Sequence, residues 1–538
     1  MKGLMMNTPL TVRMILERAR LYYGSNEIVT RVDGGYHRYR YSDFYDRVVK
    51  LAAALRKMGV GKGDRVATFA WNTFRHLELY FAVPCLGAVI HTLNIRLSPE
   101  QLAYIANHAE DKVLFYDAMF SPAIERLRPY LNTVKQYVVL DDAAATDKDL
   151  AYEQLLAAQQ DDFEWPDLDE NDAAGLCYTS GTTGHPKGVL YSHRSIYLHT
   201  LTCAMADCMG ITEEDVCMPI VPMFHANAWG LPYTCAMIGA KQVMPGQFMQ
   251  PGEILKAIVE EGVTITAGVP TIWLGVMQVL EQSQVDLSRL KKIIIGGSAV
   301  PEAMMRYFDS KYGIPVIQAW GMTETSPLGS IAKLKQHMRS WDYERQLAIR
   351  LKQGIPAPGI EVRAVDESGR QVPWDGKTLG ELQVRGPWVA SAYYNTTERA
   401  EAFQDGWFST GDVVTIDSEG YITICDRTKD LIKSGGEWIS SVDMENALMG
   451  HPKIKEAAVI AVAHEKWVER PLACVVLKAG ETLTDEEVIE YLRGRFASWW
   501  LPDAVEFIQE IPKTSVGKFD KKVLRERFKN YRLPERKK

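Results

Sequence analysis

Stretches typical of β-strands and of α-helices alternate through much of the chain, and this alternation is the feature that most constrains its fold. The first series consists of a helix over 45–59 that ends at Gly59, a short apolar strand after it, a helix over 75–86, a strand over 88–92, a helix over 99–107 and a strand over 112–116. The alternation returns with a helix over 251–261 and strands over 264–269, 292–295 and 315–320. Because parallel strands need crossover connections, the pattern predicts an α/β fold with largely parallel sheets.

The pattern of predicted secondary structure changes twice in the second half of the chain. From Ile360 to Ile424, short strands alternate with Gly, Pro and Asp turns, which predicts an antiparallel, β-barrel-like subdomain. Mixed helix and strand patterns resume after the charged segment 426–430, where few contacts are expected to cross. Since 538 residues are too many for one hydrophobic core, we expect an N-terminal domain over 1–428 and a smaller α+β C-terminal domain over 429–538.

Composition excludes several classes of protein. A net charge of −7 and a pI near 6.0 argue against a surface dedicated to nucleic acid. The eight cysteines include no C-x-x-C pair and are interpreted as free thiols in a reducing compartment. The N-terminus lacks an apolar signal core, and the longest apolar stretch, Leu77–Leu93, contains Glu78 and Pro84. The chain is therefore expected to be cytoplasmic, with no membrane span and at most peripheral membrane contact.

The strongest local signal is the string Y-T-S-G-T-T-G-H-P-K-G at 178–188, which follows an apolar strand-like run over 173–177. Clustered glycines and small hydroxyl residues let backbone N–H groups approach phosphate oxygens closely, and Lys187 adds a positive charge. The spacing does not fit the Walker pattern. The alternative for such a loop is a flexible surface turn.

The complete string resembles the phosphate-binding signature of the adenylate-forming enzymes, a superfamily of acyl-CoA synthetases, peptide-synthetase adenylation domains and luciferases. Four further motifs follow in the order of that family: Q-A-W-G-M-T-E at 318–324, W-F-S-T-G-D at 407–412, D-R-T-K-D-L-I-K-S-G-G-E-W at 426–438 and P-K-T-S-V-G-K at 512–518. The resemblance extends over roughly residues 40 to 525, nearly the whole chain.

This resemblance implies binding sites for ATP, Mg²⁺ and coenzyme A. The residues that it assigns to these cofactors are Thr179, Ser180, Gly181, Thr182, Thr183, Lys187, Gly297, Ala319, Trp320, Gly321, Thr323, Asp412, Arg427, Lys429, Lys433, Gly435, Gly436 and Trp438. Trp320 would lie beside the adenine, with a core tryptophan as the alternative. Asp412 would accept hydrogen bonds from the ribose hydroxyls, and Glu324 with Thr179 would hold Mg²⁺ through oxygen ligands.

The resemblance also implies a mobile C-terminal domain that carries the catalytic lysine. Lys518, Glu324 and His225 are the expected catalytic residues, although a lone lysine on a polar turn is otherwise a solvated charge. Lys429 would be the hinge about which the small domain rotates. Gly435 and Gly436 would let the backbone approach the pantetheine arm of coenzyme A.

The segment V-P-M-F-H-A-N-A-W-G at 221–230 indicates the kind of acid that is activated. It offers no carboxylate to balance a substrate ammonium, and a buried unpaired ammonium would be costly, so an amino acid is an unlikely substrate. The segment resembles that of medium- and long-chain fatty acyl-CoA synthetases, which implies that Trp229 gates the acyl tunnel. His225 would lie near the reacting carboxylate, with a hydrogen-bonded core histidine as the alternative. Gly297 and Ala299 would border the acyl site.

One position departs from the family pattern W-G-E-x-P, because residues 467–471 read W-V-E-R-P. Since valine strongly disfavours positive φ, we expect the backbone at Val468 to have a negative φ.

Taken with the resemblance, the sequence predicts an AMP-forming acid–thiol ligase that converts a medium- or long-chain fatty acid into its CoA ester through an acyl-adenylate. Ligation of a short thioether acid of the 3-methylmercaptopropionate kind, or of another small acid, is the alternative. A ligase that loads a carrier protein and a non-catalytic acyl- or nucleotide-binding protein are further alternatives. Resemblance also implies a homodimer.

Overall fold

The computed structural model describes residues 1, 3–141, 145–160, 163–179, 185–434, 437–515 and 517–534. The helices, in chain order, are α1 Val12–Tyr23, α2 Tyr41–Lys57, α3 Phe74–Cys85, α4 Pro99–Ala109, α5 Ser121–Leu127, α6 Tyr152–Ala157, α7 His193–Ala204, α8 Leu231–Ile238, α9 Pro251–Glu261, α10 Pro270–Gln282, α11 Glu302–Tyr312, α12 Tyr343–Arg350, α13 Ser441–Met449, α14 Asp485–Leu492 and α15 Lys521–Arg527.

The strands, in chain order, are β1 Glu27–Val32, β2 Gly35–Arg40, β3 Arg65–Phe69, β4 Val89–Thr92, β5 Asp111–Tyr116, β6 Gln136–Val139, β7 Leu150–Ala151, β8 Ala173–Tyr178, β9 Gly188–Ser192, β10 Val216–Pro219, β11 Lys241–Met244, β12 Ile265–Gly268, β13 Lys292–Gly296, β14 Val316–Gly321, β15 Leu328–Ile331, β16 Ile355–Pro356, β17 Glu361–Val365, β18 Gly380–Arg385, β19 Phe403–Gln404, β20 Trp407–Ile416, β21 Ile422–Arg427, β22 Ile432–Ser434, β23 Glu437–Ile439, β24 Ile454–His464, β25 Val468–Leu477 and β26 Ala504–Phe507.

Two large sheets with crossover helices confirm the predicted α/β class. One has the order β7-β6-β5-β3-β4-β8-β9 and is parallel except at β9. The other has the order β16-β15-β14-β13-β12-β10-β11-β1-β2, with a parallel centre from β14 to β1. Parallel strands of this kind are buried on both faces, as the fully buried β4 and β12 illustrate.

Helix α9 shows how local sequence sets an element that the sheets then bury. Pro251 suits the first helical position because it has no N–H to satisfy there, and Gly262 ends the helix with a φ of +62°. Between them, Ile254, Leu255 and Ile258 face the core that also contains Trp273. Burying side chains of this size contributes roughly 1.5–3 kcal/mol each.

The apolar stretch over 77–93 forms α3 and β4 inside the core, as the sequence indicated. Glu78 is fully buried there and is paired with Arg47, whose Nε lies 2.7 Å from the Glu78 carboxylate. In the part of the chain that the structure describes, no helix is both long enough and apolar enough to cross a membrane. The cysteines are free thiols, and all of them except the half-buried Cys425 are buried.

The predicted antiparallel subdomain is a sheet of order β17-β18-β20-β19, with β21 also paired to β20. Beyond it, β22–β26 form a mostly antiparallel sheet with α13, α14 and α15 beside it. Two hydrophobic clusters of this last unit are built from residues 432–533 only. We refer to the part before Lys429 as the large unit and to the part after it as the small unit.

The expected negative φ at Val468 is wrong. Val468 has a φ of +69° and stands directly after the turn between β24 and β25, opposite His464. His464 Nδ1 accepts the backbone N–H groups of Lys466 and Trp467, so the turn geometry is fixed by hydrogen bonds and imposes the left-handed conformation on the next residue. The Val468 side chain is 70% exposed, which keeps it clear of neighbouring atoms.

Candidate active site

A cavity of about 390 Å³ lies between the two units, at the carboxyl ends of the central parallel strands of the second large sheet. Residues that follow β10, β12, β13 and β14 line it, which is the usual position for a ligand site in an open parallel sheet. The pairing of Gly296 on β13 with Ala319 on β14 brings the segment with Gly297 and Ala299 beside the motif over 318–324. The sheet therefore assembles one site from segments far apart in the chain.

Most of the residues proposed from the sequence line this one cavity. They are Thr179, Lys187, His225, Trp229, Gly297, Ala299, Ala319, Trp320, Gly321, Thr323, Glu324, Asp412, Arg427, Lys429 and Lys518. Lys433 is exposed on β22, and its backbone N–H donates to the Glu469 carboxylate 2.8 Å away. Trp438 belongs to β23, where its backbone pairs with Lys433. Ser180, Gly181, Thr182, Thr183, Gly435 and Gly436 lie outside the described residues.

Asp412 is held from two sides by residues of different motifs. The Trp320 Nε1–H donates to Asp412 Oδ2 at 3.0 Å, and the Arg427 Nε–H donates to Asp412 Oδ1 at 2.8 Å. The Asp412 carboxylate raises the pKa of Arg427, so the guanidinium stays charged. Each carboxylate oxygen keeps a second lone pair, with which it can accept a hydroxyl group from a ligand.

Trp320 has the character of both a core residue and a site residue. It packs in the cluster that contains Phe408 and Leu382, and it lies so close to Gly329 that a Cβ there would be 2.3 Å from the ring. It also borders the cavity. The two alternatives for this residue are therefore compatible, because one part of the ring is packed while the rest can contact a ligand.

Glu324 is buried in the cavity wall and is oriented by Tyr393. The Tyr393 hydroxyl donates to Glu324 Oε1 at 2.7 Å, which leaves Oε2 without a partner among the described residues. Thr179 lines the same cavity at the end of β8, where its N–H donates to the Lys187 carbonyl at 2.9 Å. A carboxylate and a hydroxyl are oxygen donors of the kind that Mg²⁺ takes.

Lys187 is held by an ion pair near the edge of the cavity. Its Nζ lies 3.1 Å from Glu398 Oε2, and its side chain is only 8% exposed. Arg399, the next residue along, lines the cavity as a further cation. With Arg427, Lys429 and Lys518, these side chains make the site rich in positive charge, as a polyphosphate requires.

His225 is neutral at physiological pH. Burial, with a smaller contribution from the positive charge of Lys518, lowers the pKa of His225 to about 3. A neutral imidazole can donate one hydrogen bond and accept another, but it does not add a positive charge to the cavity.

Trp229 belongs to a strained turn over Ala226–Gly230. Every residue of this turn has a positive φ, from +42° at Ala226 to +75° at Gly230. A left-handed conformation costs roughly 1–2 kcal/mol for each non-glycine residue, so packing must hold the turn. Asn227 is buried, and its Oδ1 accepts from the Tyr80 hydroxyl at 3.4 Å. The turn places the Trp229 ring against Gly296, where a Cβ would lie 3.2 Å from Cη2.

Lys518 reaches the cavity from the small unit. It ends a tight turn in which the Thr514 N–H donates to the Lys518 carbonyl at 2.7 Å. Its side chain runs over Gly297, where a Cβ would lie only 3.2 Å from Lys518 Cε. Burial and the charge of Arg427 lower the pKa of Lys518 to about 8, against the opposing effect of Asp412 and Glu324. The ammonium has no ion-pair partner among the described residues.

Three side chains at or beside the site were not predicted from the sequence: Tyr393, Arg399 and Thr271. Thr271 Oγ1 donates to the Gly517 carbonyl at 3.2 Å, which ties the lysine turn to the large unit. Tyr393 is one of 24 tyrosines, and its neighbour Tyr394 is equally plausible from the sequence, so no local signal selects it. Only the tertiary contact with Glu324 identifies it.

Family models match both units of the chain. The model described as AMP-binding enzyme matches residues 17–394, and the model described as AMP-binding enzyme C-terminal domain matches residues 443–518. These matches agree with the resemblance inferred from the five motifs.

The chain is also similar along nearly its full length to proteins named as CoA ligases. It is 50% identical over 531 residues to a long-chain-fatty-acid–CoA ligase of Thermus thermophilus, covering 98% of this chain and 97% of that protein. It is 46% identical to a 3-methylmercaptopropionyl-CoA ligase of Ruegeria lacuscaerulensis (98% and 99% covered) and to a medium-chain-fatty-acid–CoA ligase of Ectopseudomonas oleovorans (98% of each covered). A crystal structure of an anthranilate CoA ligase with anthranoyl-AMP superposes with a TM-score of 0.87 at 25% identity, covering 97% of this chain and 98% of that one.

Proposed function

Because this chain belongs to the family of AMP-binding enzymes, we propose that it is an AMP-forming acyl-CoA synthetase for medium- or long-chain fatty acids. It activates the acid with ATP as an acyl-adenylate, releasing pyrophosphate, and then transfers the acyl group to coenzyme A, releasing AMP. One observation carries the proposal: Lys518 of the small unit lies in the same cavity as Glu324, Asp412 and the Trp229 wall of the large unit.

In the first half-reaction, the carboxylate of the acid attacks the α-phosphate of ATP. Positioning and charge neutralisation dominate such a step, since the protein supplies little covalent chemistry. The Lys518 ammonium, which runs over Gly297, holds the carboxylate against the phosphate and neutralises the charge that develops. The neutral His225 donates a hydrogen bond to a carboxylate oxygen from the wall of the acyl site. Holding the reactants between the two units protects the reactive anhydride from water.

The nucleotide is held by the residues that converge on Asp412. Asp412 accepts the ribose hydroxyls, Trp320 and Gly321 lie beside the adenine with Ala319 and Thr323, and Arg427 contacts ribose or phosphate. Lys187 and the loop Ser180–Thr183 take the outer phosphates, through charge and through backbone N–H groups.

Mg²⁺ fits the donor set at Glu324 and Thr179. No group of three or more His, Cys, Asp or Glu side chains suited to a metal occurs among the described residues, so most ligands would be phosphate oxygens and water, as Mg²⁺ prefers. When bound there, Mg²⁺ supplies charge neutralisation on the phosphate chain. Tyr393 keeps the Glu324 carboxylate oriented toward that position.

In the second half-reaction, coenzyme A replaces pyrophosphate. We assign the adenylation domain to residues 1–428 and the mobile domain to 429–538, with Lys429 as the hinge. Rotation about this hinge withdraws Lys518 and brings the loop with Gly435 and Gly436 to the pantetheine arm. Lys433 and Trp438, which are paired across the neighbouring strands β22 and β23, belong to the same coenzyme site. A thiol with a pKa of roughly 8.5 provides enough thiolate at neutral pH to attack the adenylate.

The acyl chain enters the site at the position that the Trp229 side chain closes. Gly297 and Ala299 border this position on one side, and the strained turn borders it on the other. The long-chain and medium-chain relatives favour a fatty acid, and the relative that ligates 3-methylmercaptopropionate keeps a short thioether acid as the second candidate. If the substrate is the short thioether acid, the Trp229 side chain keeps the acyl site closed and limits the acid to a few carbons. The cytoplasmic location and the homodimer stay predictions.

The test is CoA-dependent AMP release with acetate, 3-methylmercaptopropionate, octanoate, palmitate and benzoate. The proposal expects the largest kcat/KM with octanoate or palmitate, and a peak at 3-methylmercaptopropionate would instead select the second candidate. Lys518→Ala is the control, since it is expected to lose adenylation by about 10²–10³-fold. ATP–pyrophosphate exchange without AMP release on adding CoA would indicate a carrier-protein ligase. Absence of exchange with every acid would indicate a non-catalytic binding protein.

A further inference from the structure

Asp426 connects the two units at a buried contact beside the hinge. It lies near the end of β21, three residues before Lys429, and its side chain is 1% exposed. Its Oδ2 accepts the backbone N–H of Ser441 at 3.0 Å and also the Ser441 hydroxyl. Ser441 is the first residue of α13 in the small unit, so the contact crosses the hinge.

The small unit continues this contact toward the catalytic lysine. The Lys521 side chain is 12% exposed, and its Nζ donates to Ser441 Oγ at 2.5 Å and pairs with Glu445 Oε1 at 2.6 Å. Lys521 begins α15 only three residues after Lys518. A hydrogen-bonded chain therefore runs from Asp426 of the large unit, through Ser441, to the segment that carries Lys518.

The contact is important because a buried carboxylate is much less stable without its hydrogen-bond partners than with them. Asp426 Oδ1 accepts the Arg427 N–H at 2.8 Å within the large unit, whereas Oδ2 depends on Ser441. Because a buried carboxylate oxygen without a partner is unfavourable, Asp426 favours the orientation of the small unit in which Ser441 satisfies Oδ2. The other contacts of the lysine turn are two neutral hydrogen bonds, from Thr271 to Gly517 and from Asn94 to Ser515. The Arg96 guanidinium adds a long contact of 3.5 Å to the Ser515 carbonyl, and none of the three involves a buried carboxylate. Because Asp426 and Ser441 lie on opposite sides of Lys429, a rotation about Lys429 changes the geometry of their contact.

We propose that Asp426 is a positioning residue for Lys518: it holds the small unit in the adenylate-forming orientation through Ser441 and must release it for transfer to coenzyme A. The inference rests on the proposed two-step function. It predicts that loss of the contact slows the first half-reaction but not the second, which a general loss of folding would not produce.

Two single-turnover assays test the proposal with Asp426→Asn and Ser441→Ala. One follows octanoyl-AMP formation from ATP and octanoate without coenzyme A, and the other follows conversion of preformed octanoyl-AMP to octanoyl-CoA. Asp426→Asn is expected to slow the first about tenfold and to leave the second unchanged or faster. Ser441→Ala, which keeps the backbone donor, is expected to slow the first about threefold, and Ser441→Thr to restore it.

The matched control is Asp215→Asn in the large unit. Asp215 is 4% exposed, and its Oδ2 likewise accepts a backbone N–H and a hydroxyl, both from Thr212 at 2.9 Å. This substitution removes a buried charge of the same kind away from the hinge and is expected to leave the ratio of the two half-reactions unchanged. Equal loss of both half-reactions in Asp426→Asn, or a ratio that Asp215→Asn shifts as much, would overturn the positioning role.

Hydrogen exchange separates a failure of this inference from a failure of the proposed function. The Ser441 amide donates to Asp426, so Asp426→Asn is expected to lower the protection of a peptide covering the first turn of α13 by about tenfold or more. Unchanged protection there would overturn the contact as a restraint. If the wild type shows no ATP–pyrophosphate exchange with any acid, the proposed function fails. The hydrogen-exchange measurement still decides whether Asp426 restrains the small unit.

Discussion

The protonation of Lys518 is expected to set the upper pH limit of adenylate formation. Burial and Arg427 lower the pKa of Lys518 to about 8, and the opposing carboxylates of Asp412 and Glu324 only partly compensate. His225, which also lies near this ammonium, has a pKa of about 3 and stays neutral throughout the relevant range. The charge that Lys518 provides in the cavity is therefore lost as the pH rises through about 8.

The magnitude follows directly from this value. With a pKa of about 8, roughly 90% of Lys518 is protonated at pH 7 and roughly 10% at pH 9, so the rate that depends on the ammonium falls about tenfold. Folding stability changes in the opposite direction. Because the unfolded lysine, with a pKa near 10.5, binds more protons than the folded one, this group makes the fold more stable as pH rises from about 8. Titration of Lys518 therefore cannot reduce activity by unfolding the protein.

The assay is ATP–pyrophosphate exchange with octanoate between pH 7 and 9.5, analysed as kcat/KM for ATP, which reports the ionisation of the free enzyme. Lys518→Arg keeps a positive charge at every pH in this range, so its profile is expected to be flat, at a rate about 10–100-fold lower because the guanidinium has a different shape. Lys187→Arg is the control and is expected to keep the midpoint near pH 8. A wild-type profile that stays flat to pH 9.5, or the same midpoint in Lys518→Arg, would refute the assignment.

Three further substitutions follow from particular contacts. Val468→Gly is expected to stabilise the small unit by about 1 kcal/mol, since glycine relieves the positive φ at a residue that is 70% exposed and loses little packing; urea unfolding measures it, and a midpoint below that of the wild type would contradict it. Tyr393→Phe removes the donor that orients Glu324 and should lower kcat of exchange about tenfold, at an unchanged KM for octanoate; equal activity would show that Glu324 needs no such support. Trp229→Leu opens the wall against Gly296 and should shift the preference toward longer acids, and an unchanged profile across the acid panel would remove Trp229 from the gate.

The elements of the fold were largely predictable because their signals are local. Pro251 and Gly262 define the ends of α9 within one stretch of sequence, and Gly59 follows the end of α2 with a φ of +81°. The parallel sheets followed from the alternation of such elements. Val468 shows the limit of local reasoning, because the hydrogen bonds of the preceding turn to His464 override the preference of valine for negative φ.

The candidate site was predictable as a set of motifs, but its contacts were not. Asp412 and Glu324 each stood out by their sequence context, yet nothing in that context pairs Asp412 with Trp320 or Glu324 with Tyr393. The left-handed turn over Ala226–Gly230 was equally hidden, since only Asn227 and Gly230 favour such a backbone by themselves.

The sequence by itself determined the family, the class of fold and most residue types of the chemistry, because those depend on local periodicity and on motifs of a few residues. Tertiary structure alone decided that Lys518 crosses from the small unit to Gly297, that Thr271 and Asp426 anchor that unit, and that Trp229 closes against Gly296. These contacts join residues up to 246 positions apart. Their geometry depends on how whole sheets and units pack, and local conformational preference carries no information about that packing.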